Sequence, residues 1–137
     1  TPIGIIGPTD QHSFLQLILE GVRNKTVTFI KINNFNNSLR IPNITLPFLE
    51  ELDSINGYSF EEIINMQADS TLEAMQNSGN IPLDLITLDC VKEEDIGKLI
   101  YYYELLTSVS AKILEINCYD QPGVELGKTI LKKKLGV

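Results

Sequence analysis

The chain has 137 residues, 43% of them hydrophobic and 21% charged, with a net charge of −7. That composition fits one soluble globular domain, long enough to bury a core. The acidic balance argues against nucleic acid as a general partner while leaving room for one local basic site for a small phosphate, and no apolar run approaches the roughly eighteen residues of a membrane span.

In chain order, "IGIIG" (Ile3–Gly7) is a short apolar run closed by glycine and reads as the end of a strand. "PTDQHSFLQLILEG" then reads as a helix, with Thr9 or Asp10 as N-cap and Gly21 as its stop. Phe14, Leu15, Leu17, Ile18 and Leu19 cover more than one face, which predicts a largely buried helix. "TVTFIKI" (Thr26–Ile32) is β-branched and alternating, hence a strand. The Asn- and Pro-rich "NNFNNSLRIPNITLP" is a connector, and Phe48–Ile55 a short helix stopped by Asn56-Gly57.

Ser59 with Glu62 forms a capping box for a helix from Phe60 to about Gln76, ended at Ser78-Gly79. "IPLDLITLD" (Ile81–Asp89) is the second strand, and Glu94 to about Ile116 is a long helix or two abutting ones. A last helix runs from Pro122 to Lys134. Strands alternating with helices predict an α/β fold with a parallel sheet, organised as one unit over 1–137 with a C-terminal helix within 117–137. Cys90 and Cys118 lack metal spacing and read as reduced thiols of a cytoplasmic protein. On that reading the N-x-[ST] triplets at Asn24, Asn36 and Asn43 are chance matches.

The densest chemistry lies in "NCYDQPGVELGKT" (Asn117–Thr129). Pro122 suits a first helical turn, where its missing N–H costs nothing, which leaves Asp120 or Gln121 at the helix mouth. Gln121 and Lys128 are close to two turns apart, so they share a face. Helical side chains lean toward the N-terminus, so Lys128 can extend its ammonium back toward that mouth. A cation and an amide would then converge where the helix dipole favours anions and oxygens. Taken singly, Lys128 reads as a solvated lysine, Gln121 as an exposed turn residue, and Glu125 as a structural partner of Lys128 or a solvated charge.

His12 is the only histidine and falls in the first turn of the first helix. The positive end of a helix dipole disfavours imidazolium, and a neutral imidazole can exchange protons with a hydroxyl. A hydrogen-bonded structural histidine is the plainer reading of the same position.

"TDQHSFLQL", followed far downstream by "DQPGVELGK", resembles the phosphoglucose isomerase family. The segment "EDIGKLIYYYELLTSVSAKILEIN" resembles the long helical stretch before the family's Gln-x-Gly-Val-Glu-x-x-Lys signature. The resemblance spans essentially the whole chain and is most like bacterial members, with Pro122 in place of Trp and Tyr119 in place of the frequent Phe. It implies part of a sugar-isomerase-type α-β-α sandwich, a homodimer, and interconversion of glucose 6-phosphate and fructose 6-phosphate without metal or cofactor. It assigns sugar-ring opening to His12 and Lys128, and a place lining the sugar site to Gln121. It also places the histidine of one subunit in the site of its neighbour.

The family's glutamate base, its arginine and its Ser/Thr-rich phosphate loop lie upstream of the histidine segment. Thr1–Gln11 contains no Glu, and no such loop occurs in the chain. The chain also starts at Thr1 without Met, in what reads as the middle of a strand-to-loop crossing. The resemblance therefore implies the C-terminal portion of a larger isomerase, inactive alone. The competing reading is a non-catalytic sugar-phosphate-binding module, since a fold does not fix a function. A nucleotide-binding domain is disfavoured, because "GVELGKT" has too few residues between its glycines for a phosphate loop.

Overall fold

The computed structural model describes residues 2–79 and 81–136, so Thr1, the first residue of the expected opening segment, and Val137, the last of the tail, lie outside it, as does Asn80. The elements are α1 (Gly7–Glu20), β1 (Val27–Asn34), a 3₁₀ turn (Glu50–Ile55), α2 (Phe60–Ser78), β2 (Leu83–Cys90), α3 (Glu93–Ile113) and α4 (Pro122–Leu135). They fall into two compact units, Thr1–Lys92 and Glu93–Val137.

In the first unit, β1 and β2 form a parallel pair in register Val27 with Leu83 through Asn34 with Cys90. A parallel pair needs a crossover, and α2 supplies it. The α/β class and parallel sheet expected from the sequence are what the chain adopts. Strand β1 alternates over its first half, turning Val27, Phe29 and Lys31 to the more covered face. Helix α2 packs on β1, where Lys31 pairs with Asp69 and Asn65 Nδ2 donates to the Asn33 carbonyl at 3.4 Å.

The start of α2 is built as its sequence predicts. Ser59 Oγ accepts from the Glu62 N–H at 3.1 Å, and Glu62 Oε2 accepts from the Ser59 N–H at 2.7 Å. Two N–H groups that the helix leaves unpaired are thereby satisfied. The Ser59 N–H bond is the main cause holding the Glu62 carboxyl below its ordinary range; the Ser59 side chain and Arg40 add to it. Gly79 closes the helix in the left-handed region at φ 63°, which a residue with a Cβ rarely adopts.

Three expectations are corrected. Ile3–Gly7 is not a strand end: no described strand pairs with it, and Gly7 already opens α1. The helix begins there because Pro8 sits in its first turn and Asp10 reaches back, its Oδ2 accepting from the Ile6 N–H at 2.7 Å. Ile6 is therefore the N-cap, in place of Thr9 or Asp10, while Gly21 ends the helix as expected. Second, α1 has no buried residue. Its apolar positions circle the helix, but α2 is its main packing partner, through Gln11 Nε2 donating to Thr71 Oγ1 at 2.8 Å. Third, the short helix is a 3₁₀ turn starting at Glu50, because Phe48 takes φ 69° and cannot be helical.

Between β1 and α2 the connector folds on itself. The Ile41 N–H donates to the Tyr58 carbonyl at 2.9 Å and the Gly57 N–H to the Ile41 carbonyl at 3.1 Å. Gly57, at φ 80°, makes the turn that allows this. The second unit is the long helix α3, a short connection and α4. Buried hydrophobic residues among those described are few: Met75, Cys90 and Ala111. The expected core is thus much smaller than the length suggested, and many apolar side chains of α1, α3 and α4 stand in solvent. Among the described residues no helix is long and apolar enough to cross a membrane.

Candidate active site

His12 sits in the second turn of α1, one turn further in than the sequence suggested, because the helix starts at Gly7. Its side chain is exposed on the wall of an open groove in the first unit. Leu15 and Leu19 of α1 share that groove with Ile63, Met66 and Thr71 of α2. Among the described residues no protein group hydrogen-bonds its ring, which leaves the imidazole open to the groove. Helix α1 fixes the backbone beneath it through the Gln11–Thr71 bond one residue away.

The second unit carries the other two residues. Asn117 shapes the approach to α4: its Oδ1 accepts from the Tyr119 N–H at 2.9 Å, and its Nδ2 donates to Asp120 Oδ2 at 2.7 Å. Such side-chain turns are what Asn favours before a helix. Gln121 then becomes the N-cap residue, at φ −123° and ψ 69°, with Pro122 in the first turn. Its side chain makes no capping bond. The amide therefore remains available at the mouth, while its backbone carbonyl accepts from Val124 at 3.0 Å and Glu125 at 3.2 Å.

Lys128 lies further along the same helix, and its side chain leans toward the mouth as the geometry of helical side chains requires. It stops one turn short. Lys128 Nζ donates to Glu125 Oε1 at 2.6 Å, and both side chains are more than half exposed. The convergence of Lys128 on Gln121 is thus interrupted by Glu125, whose pairing with the lysine is one of the two readings its spacing allows. Lys132, Lys133 and Lys134 occupy the last turn, where cations complement the helix dipole. Lys128 is set apart from them by position and by partner.

Chemically, the start of α4 offers a helix N-terminus with an uncommitted amide and, one turn further on, an ammonium that is paired with Glu125 and has donors to spare. That set suits the oxygens of a polar, anionic ligand. Among the described residues no group of His, Cys, Asp and Glu is placed to hold a metal ion.

Comparison with known proteins gives the chain its relatives. The family model of phosphoglucose isomerase matches residues 2–135. A glucose-6-phosphate isomerase of Campylobacter jejuni is 48% identical over 135 residues, covering 98% of this chain and 32% of that protein. A probable glucose-6-phosphate isomerase of Methanococcus maripaludis is 38% identical, covering 95% of this chain and 28% of that protein. The crystal structure of a hypothetical protein from Thermus thermophilus superposes with a TM-score of 0.81 at 29% identity, over 96% of this chain and 31% of the other. The chain spans about a third of the length of the relatives it matches. With a family match over nearly its whole length, the chain belongs to the phosphoglucose isomerase family.

Proposed function

We propose that this chain is the C-terminal portion of a glucose-6-phosphate isomerase, of bacterial type, that interconverts glucose 6-phosphate and fructose 6-phosphate in the cytoplasm. Within it, His12 and Lys128 open the sugar ring and Gln121 lines the sugar site. The observation that carries the reading is the start of α4. Pro122 begins a helix with an uncapped Gln121 at its mouth and Lys128 leaning back toward it, inside a segment that matches the family model. The share of each relative covered by the chain supports its being one part of a longer enzyme.

Ring opening needs a proton delivered to the ring oxygen and one removed from the neighbouring hydroxyl. An imidazole and an ammonium perform such transfers, each worth about 10²–10⁴ in rate. Lys128 also stabilises negative charge developing on oxygen. The step that follows moves a proton between the first two carbons and belongs to a glutamate outside this chain. In this reading residues 1–137 belong to the later part of the enzyme's second sugar-isomerase domain, with the C-terminal helix within 117–137, and the enzyme is a homodimer in which His12 completes the neighbour's site.

A coupled assay on the full-length enzyme tests the assignment. His12→Ala and Lys128→Ala are each expected to lower kcat by about 10²–10⁴. Loss of binding alone, with kcat intact, would favour a sugar-phosphate-binding role. The isolated 137-residue chain is expected to be inactive; turnover at a rate comparable to the full-length enzyme would contradict the assignment.

A further inference from the structure

We infer that Glu125 is a positioning residue for Lys128: its carboxylate holds the ammonium on the mouth side of α4, so that the lysine meets the sugar in one conformation. The inference rests on the role of Lys128 proposed above.

Three features of α4 carry it. Glu125 lies in the first turn, where the helix dipole favours a carboxylate whether or not a lysine is near. Its backbone is tied at both ends. Its N–H donates to the Gln121 carbonyl at 3.2 Å, and its carbonyl accepts from Thr129 Oγ1 at 2.9 Å. A single residue thus connects the mouth to the lysine that acts there. Finally, the 2.6 Å bond to Nζ draws Lys128 toward the N-terminus, away from the cationic last turn.

The pairing leaves the lysine usable. An ammonium has three donors, and Glu125 takes one. The other two face solvent from a side chain that is 61% exposed. An exposed ion pair of this kind contributes little to stability, so its effect should be read in turnover rather than in folding. Glu125 touches neither substrate nor reacting atom in this scheme and acts only through Lys128.

The test is a double-mutant cycle in the full-length enzyme with Glu125→Gln, Lys128→Ala and the pair. Each variant is assayed on ring-closed fructose 6-phosphate and on an open-chain analogue. Glu125→Gln is expected to lower kcat on the ring-closed substrate about two- to fivefold, the scale of an exposed ion pair, and to spare the analogue. In the Lys128→Ala background the same change should cost nothing further. Glu125→Asp, which keeps the charge, should recover part of the loss. An undiminished cost in the Lys128→Ala background, or equal losses on both substrates, would overturn the inference. So would an unchanged Glu125→Gln enzyme beside a crippled Lys128→Ala one. If Lys128→Ala is itself fully active, the assignment of Lys128 fails first, and the cycle shows it separately.

Discussion

Replacing Ser59 by alanine tests how the fold of the first unit is held. Ser59 is 8% exposed, caps α2 through its Oγ, and pairs with Arg40 in an isolated antiparallel bridge. The substitution removes the acceptor of the Glu62 N–H but leaves the Glu62 carboxylate on the Ser59 N–H. One half of the capping box is lost, which costs about 1 kcal/mol, within a range of about 0.5–2. In a unit of this size, that lowers the midpoint of thermal unfolding by about 4–8 °C. Thermal melts followed by far-ultraviolet circular dichroism, with urea titration as a second measure, would read it. The Ser59→Gly variant should lose only a few tenths of a kcal/mol, because glycine is itself a fair N-cap. A loss in Ser59→Ala below about 0.3 kcal/mol would refute the reasoning, since water would then be serving the Glu62 N–H as well as the hydroxyl does.

The same box predicts a pH dependence. The carboxyl of Glu62 is held below its ordinary value of 4.5 in the folded chain, so its stabilisation is full above that value and disappears as pH falls through the lower folded value. Stability curves of Glu62→Gln and the unaltered chain should therefore converge toward acid pH; a constant gap would contradict the assignment. Gly127 lies inside α4, and a Cβ there would meet nothing within 4 Å in this chain. Gly127→Ala should stabilise α4 by up to about 1 kcal/mol, and a loss of helicity would show a clash the chain does not contain. For the proposed shared site, full-length His12→Ala and Lys128→Ala subunits allowed to exchange should regain activity, toward about half of wild type per hybrid dimer if the sites are independent. Subunit exchange confirmed by mass, without recovery, would place both residues in one subunit's site.

Local signals in the sequence were the dependable ones. The Ser59–Glu62 spacing and Gly79 after α2 fix helix ends by short-range bonding, Pro122 opens α4 with a preset φ and no N–H to satisfy, and each stands where expected. The two strands were legible from β-branching and alternation, and their parallel pairing from the helix between them. Burial was not legible, because it depends on what covers a face. The apolar residues of α1 predicted a buried helix, yet Leu17 is 54% exposed, and among the described residues α2 is the main element packed on α1. At the site, the sequence placed Gln121 and Lys128 on one face through the helical repeat alone. It left Glu125 either to pair with the lysine or to stand solvated, because spacing permits an i,i+3 pair without requiring it. The 2.6 Å contact decides between them.

The central claim is that Lys128 acts in opening the sugar ring, and substrate form tests it most directly. In the full-length enzyme, Lys128→Ala should lose about 10²–10⁴ in kcat on ring-closed fructose 6-phosphate and far less on an open-chain analogue that needs no opening. Equal losses on the two substrates would show that Lys128 serves another step, and no loss on either would leave it a solvated lysine on the side of α4.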